Sequence, residues 1–136
     1  TIRPPADLES KPYLQPIYDE PEFIVRNVWR LYGGWYDGNP AHLKPAPDAA
    51  LAGEMATLAG GADVLARRAA ELAEAGDLRL AGHLAELATQ ADPGSADAHR
   101  VRAAVNDARA KAERSTMAKG VFRWAATESR EKAGGD

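Results

Sequence analysis

The chain has 136 residues, 45% of them hydrophobic, a formal net charge of -3 and no cysteine. This length suits one domain with a modest core, and the near-neutral charge argues against a dedicated nucleic-acid binder. The lack of cysteine excludes a disulfide scaffold and any thiolate site, and no apolar run approaches the roughly 20 residues of a membrane span. The N-terminus has neither an initiator methionine nor the apolar core of a signal peptide. We therefore expect a fragment or a processed piece, whose own ends do not reveal its compartment.

Residues 1–17 are predicted to form an extended, proline-rich arm. Its prolines lie at positions 4, 5, 12 and 16, and each one removes a backbone donor and favours extended geometry in the residue before it. At most one helical turn fits after Pro5. We expect the arm to lie on another surface, because it carries the apolar side chains of Tyr13, Leu14 and Ile17, with Tyr18 directly after them.

Residues 18–43 are predicted to form a helix and a turn that carry most of the aromatic side chains. The helix should begin at about Pro21 with Asp19 as its N-cap, because proline suits the first turn and a carboxylate accepts the free N–H groups there. Gly33-Gly34 should end it, and Asp37-Gly38-Asn39-Pro40 has the composition of a turn. Apolar side chains on two neighbouring stripes predict that this helix is buried on most sides. The stripes hold Ile24, Val28, Leu31 and Trp35, and Val25, Trp29, Tyr32 and Tyr36.

Residues 47–133 are predicted to form an alanine-rich helical bundle. Amphipathic helices are expected at about 48–58 and 62–75, from Asp77 to Ala91, after Ser95, and at about 117–132, with Asp77 and Ser95 as caps. Residues 73–105 have the local pattern of a tetratricopeptide-type helix pair. No stretch alternates with period two, so the predicted fold is all-α. It is a bundle of about five to six helices with one tetratricopeptide-like hairpin, treated as a single domain over residues 1–136.

No self-contained catalytic or metal-binding set is visible, so we predict neither a catalytic residue, a metal ligand nor a cofactor within this chain. His42, His83 and His99 are scattered without a second ligand at short spacing, and no serine lies in a nucleophile elbow. The basic residues of the C-terminal helices alternate with acidic ones, which favours a solvated helix face over a nucleic-acid patch. These basic residues are Arg100, Arg102, Arg109, Lys111, Arg114, Lys119 and Arg123.

The aromatic helix favours an interface over a pure core role, because large amphipathic aromatic side chains concentrate where proteins meet. The predicted interface residues are Trp29, Trp35, Tyr18 and Phe23.

The run from Tyr18 to Ala46, YDEPEFIVRNVWRLYGGWYDGNPAHLKPA, closely resembles the start of the dimerisation domain of alkyl sulfatases, and three shorter motifs are similar too. They are Ala75-Gly76-Asp77, Ala91-Asp92-Pro93 and Glu113-Arg114-Ser115-Thr116-Met117. Alkyl sulfatases are metallo-β-lactamase-fold hydrolases that cleave alkyl sulfate esters. The resemblance implies a homodimer whose upstream catalytic domain holds zinc and whose downstream domain is sterol-carrier-like. The H-x-H-x-D-H type of metal motif is absent from this chain.

The same resemblance implies that the aromatic turn borders the mouth of the catalytic domain. Tyr32, Tyr36 and Arg30 are then expected to form part of the pocket wall, since a sulfate group favours hydroxyl and charge-assisted donors. The alternative is a free-standing tetratricopeptide-like module that binds a partner protein and has no enzymatic domain attached.

Overall fold

The computed structural model describes residues 2–134, and within that range every regular element is helical. The helices are α1 (Ala6–Glu9), α2 (Pro21–Gly33), α3 (Pro40–Leu43), α4 (Asp48–Ala59), α5 (Ala62–Glu74), α6 (Leu78–Ala91), α7 (Ala96–Ala112) and α8 (Thr116–Lys132), and Pro12–Leu14 form a 3-10 turn. The predicted all-α class is confirmed. The helix count exceeds the predicted five to six because α1 and α3 are one-turn helices, and α3 stands where the sequence predicts irregular chain.

The described chain divides into two compact units. One holds the residues up to Pro45 together with Glu113–Ala118, and the other holds Ala46–Ala112 and the residues from Lys119 onward. The first unit therefore contains the arm, α2, α3 and the first turn of α8. The second contains α4 to α7 and the remainder of α8.

The core of the second unit is built mainly from alanine. One cluster groups Ala56, Leu65, Ala66, Ala88 and Ala98, and a second groups Ala69, Ala81, Ala85 and Val105. Alanine methyl groups allow helices to approach closely, and burying them costs no side-chain entropy. These helices thus bury their inward faces without large aromatic side chains.

Local signals fix the borders of the bundle helices. The Oδ1 atom of Asp77 accepts a hydrogen bond from the N–H of Leu80 at 3.1 Å, and the Oγ atom of Ser95 accepts one from the N–H of Ala98 at 3.2 Å. Both predicted caps are confirmed. They stabilise α6 and α7 because the first N–H groups of a helix have no partner inside the helix.

Arg102 on α7 joins α6 to α8. Its side chain is only 11% exposed, and Nε donates to Oε1 of Glu86 on α6 at 2.8 Å. Its Nη1 atom donates to Oγ of Ser129 at 2.6 Å and to Oε2 of Glu128 at 3.1 Å, both on α8. The interpretation of this residue as part of a solvated face is therefore wrong, because the facing helices supply its partners.

Arg109, two turns further along α7, has a related position. Its guanidinium lies 4.0 Å from the centre of the Phe122 ring on α8. It also occupies the space that a side chain at position 82 of α6 would need, which is available because residue 82 is glycine. The solvated-face interpretation is wrong here as well, because the guanidinium lies over the Phe122 ring and fills the space beside Gly82.

The arm is anchored on the first turn of α8. The C=O of Ile17 accepts from the N–H of Thr116 at 2.7 Å, and the C=O of Tyr18 accepts from the N–H of Met117 at 3.2 Å and from Oγ of Ser115 at 2.8 Å. The arm thereby satisfies the N–H groups that open the helix. It also contains the one helical turn expected after Pro5, as well as the 3-10 turn.

Helix α2 begins at Pro21 and ends at Gly33, as predicted, but its cap differs. Glu20 is the N-cap residue and makes no side-chain capping bond, whereas Oδ1 of Asp19 accepts from the N–H of Glu20 at 2.8 Å. The prediction of Asp19 as the cap is therefore wrong by one residue. The prediction that α2 is buried on most sides is also wrong for the chain by itself, since none of its residues is buried.

Candidate assembly surface

The aromatic surface consists of exposed apolar side chains on α2 and in the turn after it. Its members are Ile24, Val25, Val28, Trp29, Leu31, Tyr32, Trp35 and Tyr36. Trp29 and Trp35 are each 67% exposed and Tyr32 is 85% exposed. A contiguous apolar patch of this kind on a folded chain marks a place where another protein surface or a ligand binds.

The predicted interface residues are mostly available for such contact. Tyr18, Trp29 and Trp35 are exposed, while Phe23 is partly buried in the first turns of α2. The structure therefore leaves three of the four large side chains uncovered within this chain.

The predicted wall residues lie at the C-terminal end of the aromatic surface. Arg30 and Tyr32 are exposed on the last turns of α2, and Tyr36, 39% exposed, follows in the turn. The ring of Tyr36 meets that of Trp35 edge to face, with centroids 5.9 Å apart and planes at 66°. This T-shaped geometry is a favourable one for aromatic pairs.

The turn after α2 is held by a histidine–carboxylate pair. The Oδ2 atom of Asp37 lies 2.6 Å from Nδ1 of His42, and its Oδ1 atom accepts from the N–H of Asn39 at 3.0 Å. The N–H of Asn39 and, after it, the imidazole of His42 lower the pKa of the Asp37 carboxyl. His42, one of the three histidines that are scattered in the sequence, is therefore a member of a hydrogen-bonded network.

Two further exposed apolar stripes were missed by reasoning from the sequence. On α8, Met117, Val121 and Trp124 are exposed, and Trp124 reaches 67%. On α4, Leu51, Met55 and Leu58 are exposed in the same way. The spacing of three and four residues is a signal that was present in the sequence, but alanines on the opposite faces of both helices are the side chains that are buried.

A groove between α5 and α7 lies within the second unit. It encloses about 300 Å³. Its lining is mostly apolar, with one carboxylate and one guanidinium, from Ala70, Ala73, Glu74, Arg100, Val101, Ala104 and Val105.

Residues 2–134 contain no group of three or more His, Asp or Glu side chains arranged as metal ligands. None of the helices described there is both long and apolar enough to cross a membrane.

Residues 1–132 match the family described as alkyl sulfatase dimerisation. The chain belongs to this family. Two curated relatives are similar to this chain over most of its length. An alkyl/aryl-sulfatase of Saccharomyces cerevisiae is 33% identical over 108 residues, which are 79% of this chain and 16% of that protein. An (R)-specific secondary-alkylsulfatase of Pseudomonas sp. is 32% identical over 99 residues, which are 73% of this chain and 15% of that protein.

A solved structure agrees with this assignment. It is described as a stereoselective inverting sec-alkylsulfatase from Pseudomonas sp. and superposes with a TM-score of 0.89 at 28% identity. The superposition covers 97% of this chain and 21% of the other chain. This chain thus spans about a fifth of that enzyme's length and a smaller share of the length of each curated relative.

Proposed function

We propose that this chain is the assembly domain of an alkyl sulfatase and that it forms a homodimer through its aromatic surface. The observation that carries the proposal is the exposure of α2, an apolar helix with no buried residue, in a chain of the alkyl sulfatase dimerisation family. A helix with apolar side chains on much of its circumference is stable when another surface covers those side chains.

The size of the aromatic surface supports this role. At the exposures of Trp29, Tyr32, Trp35 and Tyr36, four rings supply roughly 500 Å² of contact area, since one aromatic side chain offers about 200 Å². A standard interface buries about 800 Å² on each partner. The aliphatic members Ile24, Val28 and Leu31 can supply the remainder.

A pair of tryptophans allows a matched test of the surface. Trp29 on α2 and Trp124 on α8 are both 67% exposed. Sedimentation equilibrium of the 136-residue chain should show a dimer that Trp29→Ala weakens by at least tenfold, because truncating an aromatic anchor costs about 2 kcal/mol or more. Trp124→Ala should change the dissociation constant little. A monomeric wild-type chain, or equal losses in both variants, would contradict the assignment to α2.

We also propose that the parent protein is a zinc-dependent hydrolase of alkyl sulfate esters. The relatives' names as sulfatases support this, as does the resemblance that places a metallo-β-lactamase-fold catalytic domain upstream and a sterol-carrier-like domain downstream. The zinc ion belongs, in this proposal, to the upstream domain with its H-x-H-x-D-H motif. This chain contributes assembly and not the metal ligands.

Tyr32, Tyr36 and Arg30 would then form part of the wall of the substrate pocket. Two hydroxyl groups and a guanidinium are suitable donors for a sulfate ester, and the structure leaves all three side chains exposed. In the full-length parent, Tyr36→Phe and Tyr32→Phe should reduce turnover of an alkyl sulfate while zinc content stays the same. Unchanged kinetics in both variants would exclude a wall role.

The α5/α7 groove supports a second candidate function, binding of a partner protein as a free-standing tetratricopeptide-like module. The reading frame of the gene separates the two. An H-x-H-x-D-H motif upstream in the same frame supports the sulfatase, whereas a start codon directly before Thr1 supports the free-standing module.

A further inference from the structure

The aromatic turn, residues 34–39, lies between α2 and α3, so Trp35 and Tyr36 are outside any helix. Gly34 and Gly38 lie on either side of the two rings with φ of +80° and +90°. Glycine adopts this left-handed backbone without strain, but it also leaves a chain flexible. Presenting the two rings in one arrangement therefore requires a separate restraint.

A closed ring of hydrogen bonds supplies this restraint. The carboxylate of Asp37 accepts from the N–H of Asn39 at 3.0 Å and lies 2.6 Å from Nδ1 of His42. Asn39 in turn begins α3, because its Oδ1 accepts from the N–H of Ala41 at 3.1 Å and its C=O accepts from the N–H of His42 at 2.9 Å. Helix α3 thus returns His42 to the residue that directly follows Tyr36.

We propose that His42 is a positioning residue: its Nδ1–H donates to Asp37, which fixes the aromatic turn and presents Trp35 and Tyr36 in one arrangement to the second copy of the chain. The identity of the partner rests on the proposed function, whereas the restraint belongs to this chain alone. Side chains that are already ordered lose less conformational freedom when two proteins associate. The edge-to-face contact of the two rings is consistent with such an ordered arrangement.

The bond from Nδ1 of His42 is strongest when its acceptor, the Asp37 carboxyl, is ionised. Nδ1 carries a proton in the imidazolium and in one neutral tautomer, so the donor is available in both states. The groups that the structure places against the imidazole are the Asp37 carboxylate and the Asn39 amide, whose Nδ2 lies 3.4 Å from Nε2. The pKa of Asp37 is lowered, first by the N–H of Asn39 and then by His42. The stability that the ionised Asp37 carboxylate contributes is therefore present above the unfolded pKa of this carboxyl, and it is lost as pH falls through the folded pKa.

Two variants with an amide side chain separate the position of the donor nitrogen from the size of the side chain. In His42→Asn the amide nitrogen takes the place of Nδ1, whereas in His42→Gln it reaches the place of Nε2, and His42→Ala removes both. The variants are made in the 136-residue chain with Trp29→Phe and Trp124→Phe, so that Trp35 is its one tryptophan. Time-resolved fluorescence anisotropy should show restricted motion of Trp35 in the chain with His42 and in His42→Asn, and faster local motion in the other two. Equal anisotropy in all four would overturn the restraint.

Self-association of the same His42 variants, with Trp29 and Trp124 kept, tests the role in assembly. His42→Gln and His42→Ala should weaken the dimer roughly tenfold, the effect of ordering one or two side chains on association, and His42→Asn should restore it. A dimer of unchanged affinity in His42→Gln and His42→Ala would overturn the presentation of the rings to the second copy. A monomeric wild-type chain would contradict the proposed function, and the anisotropy of Trp35 would still decide the restraint.

Discussion

Gly82 on α6 gives a sharp test of how α8 is attached to the bundle. Two effects of Gly82→Ala oppose each other. Alanine in a helix interior is favoured over glycine by about 1 kcal/mol, but a methyl group at this position would occupy the space of the Arg109 guanidinium. Arg109 would have to leave its position 4.0 Å from the centre of the Phe122 ring, and a cation–π contact contributes about 0.5–2 kcal/mol depending on its burial.

Gly53 on α4 is the matched control. It also lies inside a helix, and a methyl group there meets nothing within 4 Å. Gly53→Ala should therefore raise the free energy of unfolding by about 1 kcal/mol, whereas Gly82→Ala should raise it by much less or lower it by up to about 1 kcal/mol. Urea unfolding followed by circular dichroism at 222 nm measures both values.

A double-mutant cycle connects the difference to the ring. With Phe122→Leu in the background, moving Arg109 no longer costs the ring contact, so Gly82→Ala should regain part of the stabilisation seen at Gly53. Equal gains in the free energy of unfolding from Gly53→Ala and Gly82→Ala in the wild-type chain would refute the reasoning. The position of the guanidinium would then contribute nothing to stability.

Three more predictions concern the second unit. Arg102→Met should lower the free energy of unfolding by about 2–4 kcal/mol in urea unfolding, because it leaves the buried Ser129 and two carboxylates without their shared donor; a loss below 1 kcal/mol would contradict this. Asp77→Ala should cost about 1 kcal/mol in the same assay through the lost cap of α6, and no change would refute the cap's contribution. Hydrogen bonds from Lys132 and then Arg102 lower the pKa of Glu128, so its contribution to stability should be present above its unfolded pKa and decline as pH falls through the folded value. Urea unfolding across acidic pH should show that Glu128→Gln removes part of this decline.

Local sequence signals were sufficient for the helix caps of the bundle and insufficient for the contacts between its helices. Asp77 and Ser95 cap their helices as predicted because a cap involves residues three apart in the chain. Arg102 was misassigned because its partners Glu86 and Ser129 lie on facing helices, 16 and 27 residues away in sequence. Arg109 was misassigned because its partner Phe122 lies on a facing helix, α8. No spacing on α7 encodes these contacts.

The candidate site shows the same limit more strongly. The two apolar stripes of α2 were visible in the sequence, but apolar periodicity states only that a face avoids water and not which chain covers it. Burial on most sides was therefore predicted for a helix that this chain leaves uncovered. The pairing of His42 with Asp37 was missed because it depends on α3, a one-turn helix that begins at Pro40.

The covering of α2 by a second copy can be measured with single cysteines, because the chain has none of its own. Leu31 on α2 is 75% exposed and Leu58 on α4 is 82% exposed, so Leu31→Cys and Leu58→Cys form a matched pair. The rate of thiol modification is measured as the protein concentration is raised. If α2 is the dimer surface, the Leu31→Cys thiol becomes protected at concentrations where the chain sediments as a dimer, while the Leu58→Cys thiol keeps its rate. A dimer in which the thiol at position 31 reacts as fast as in the monomer would contradict the assignment of the aromatic surface.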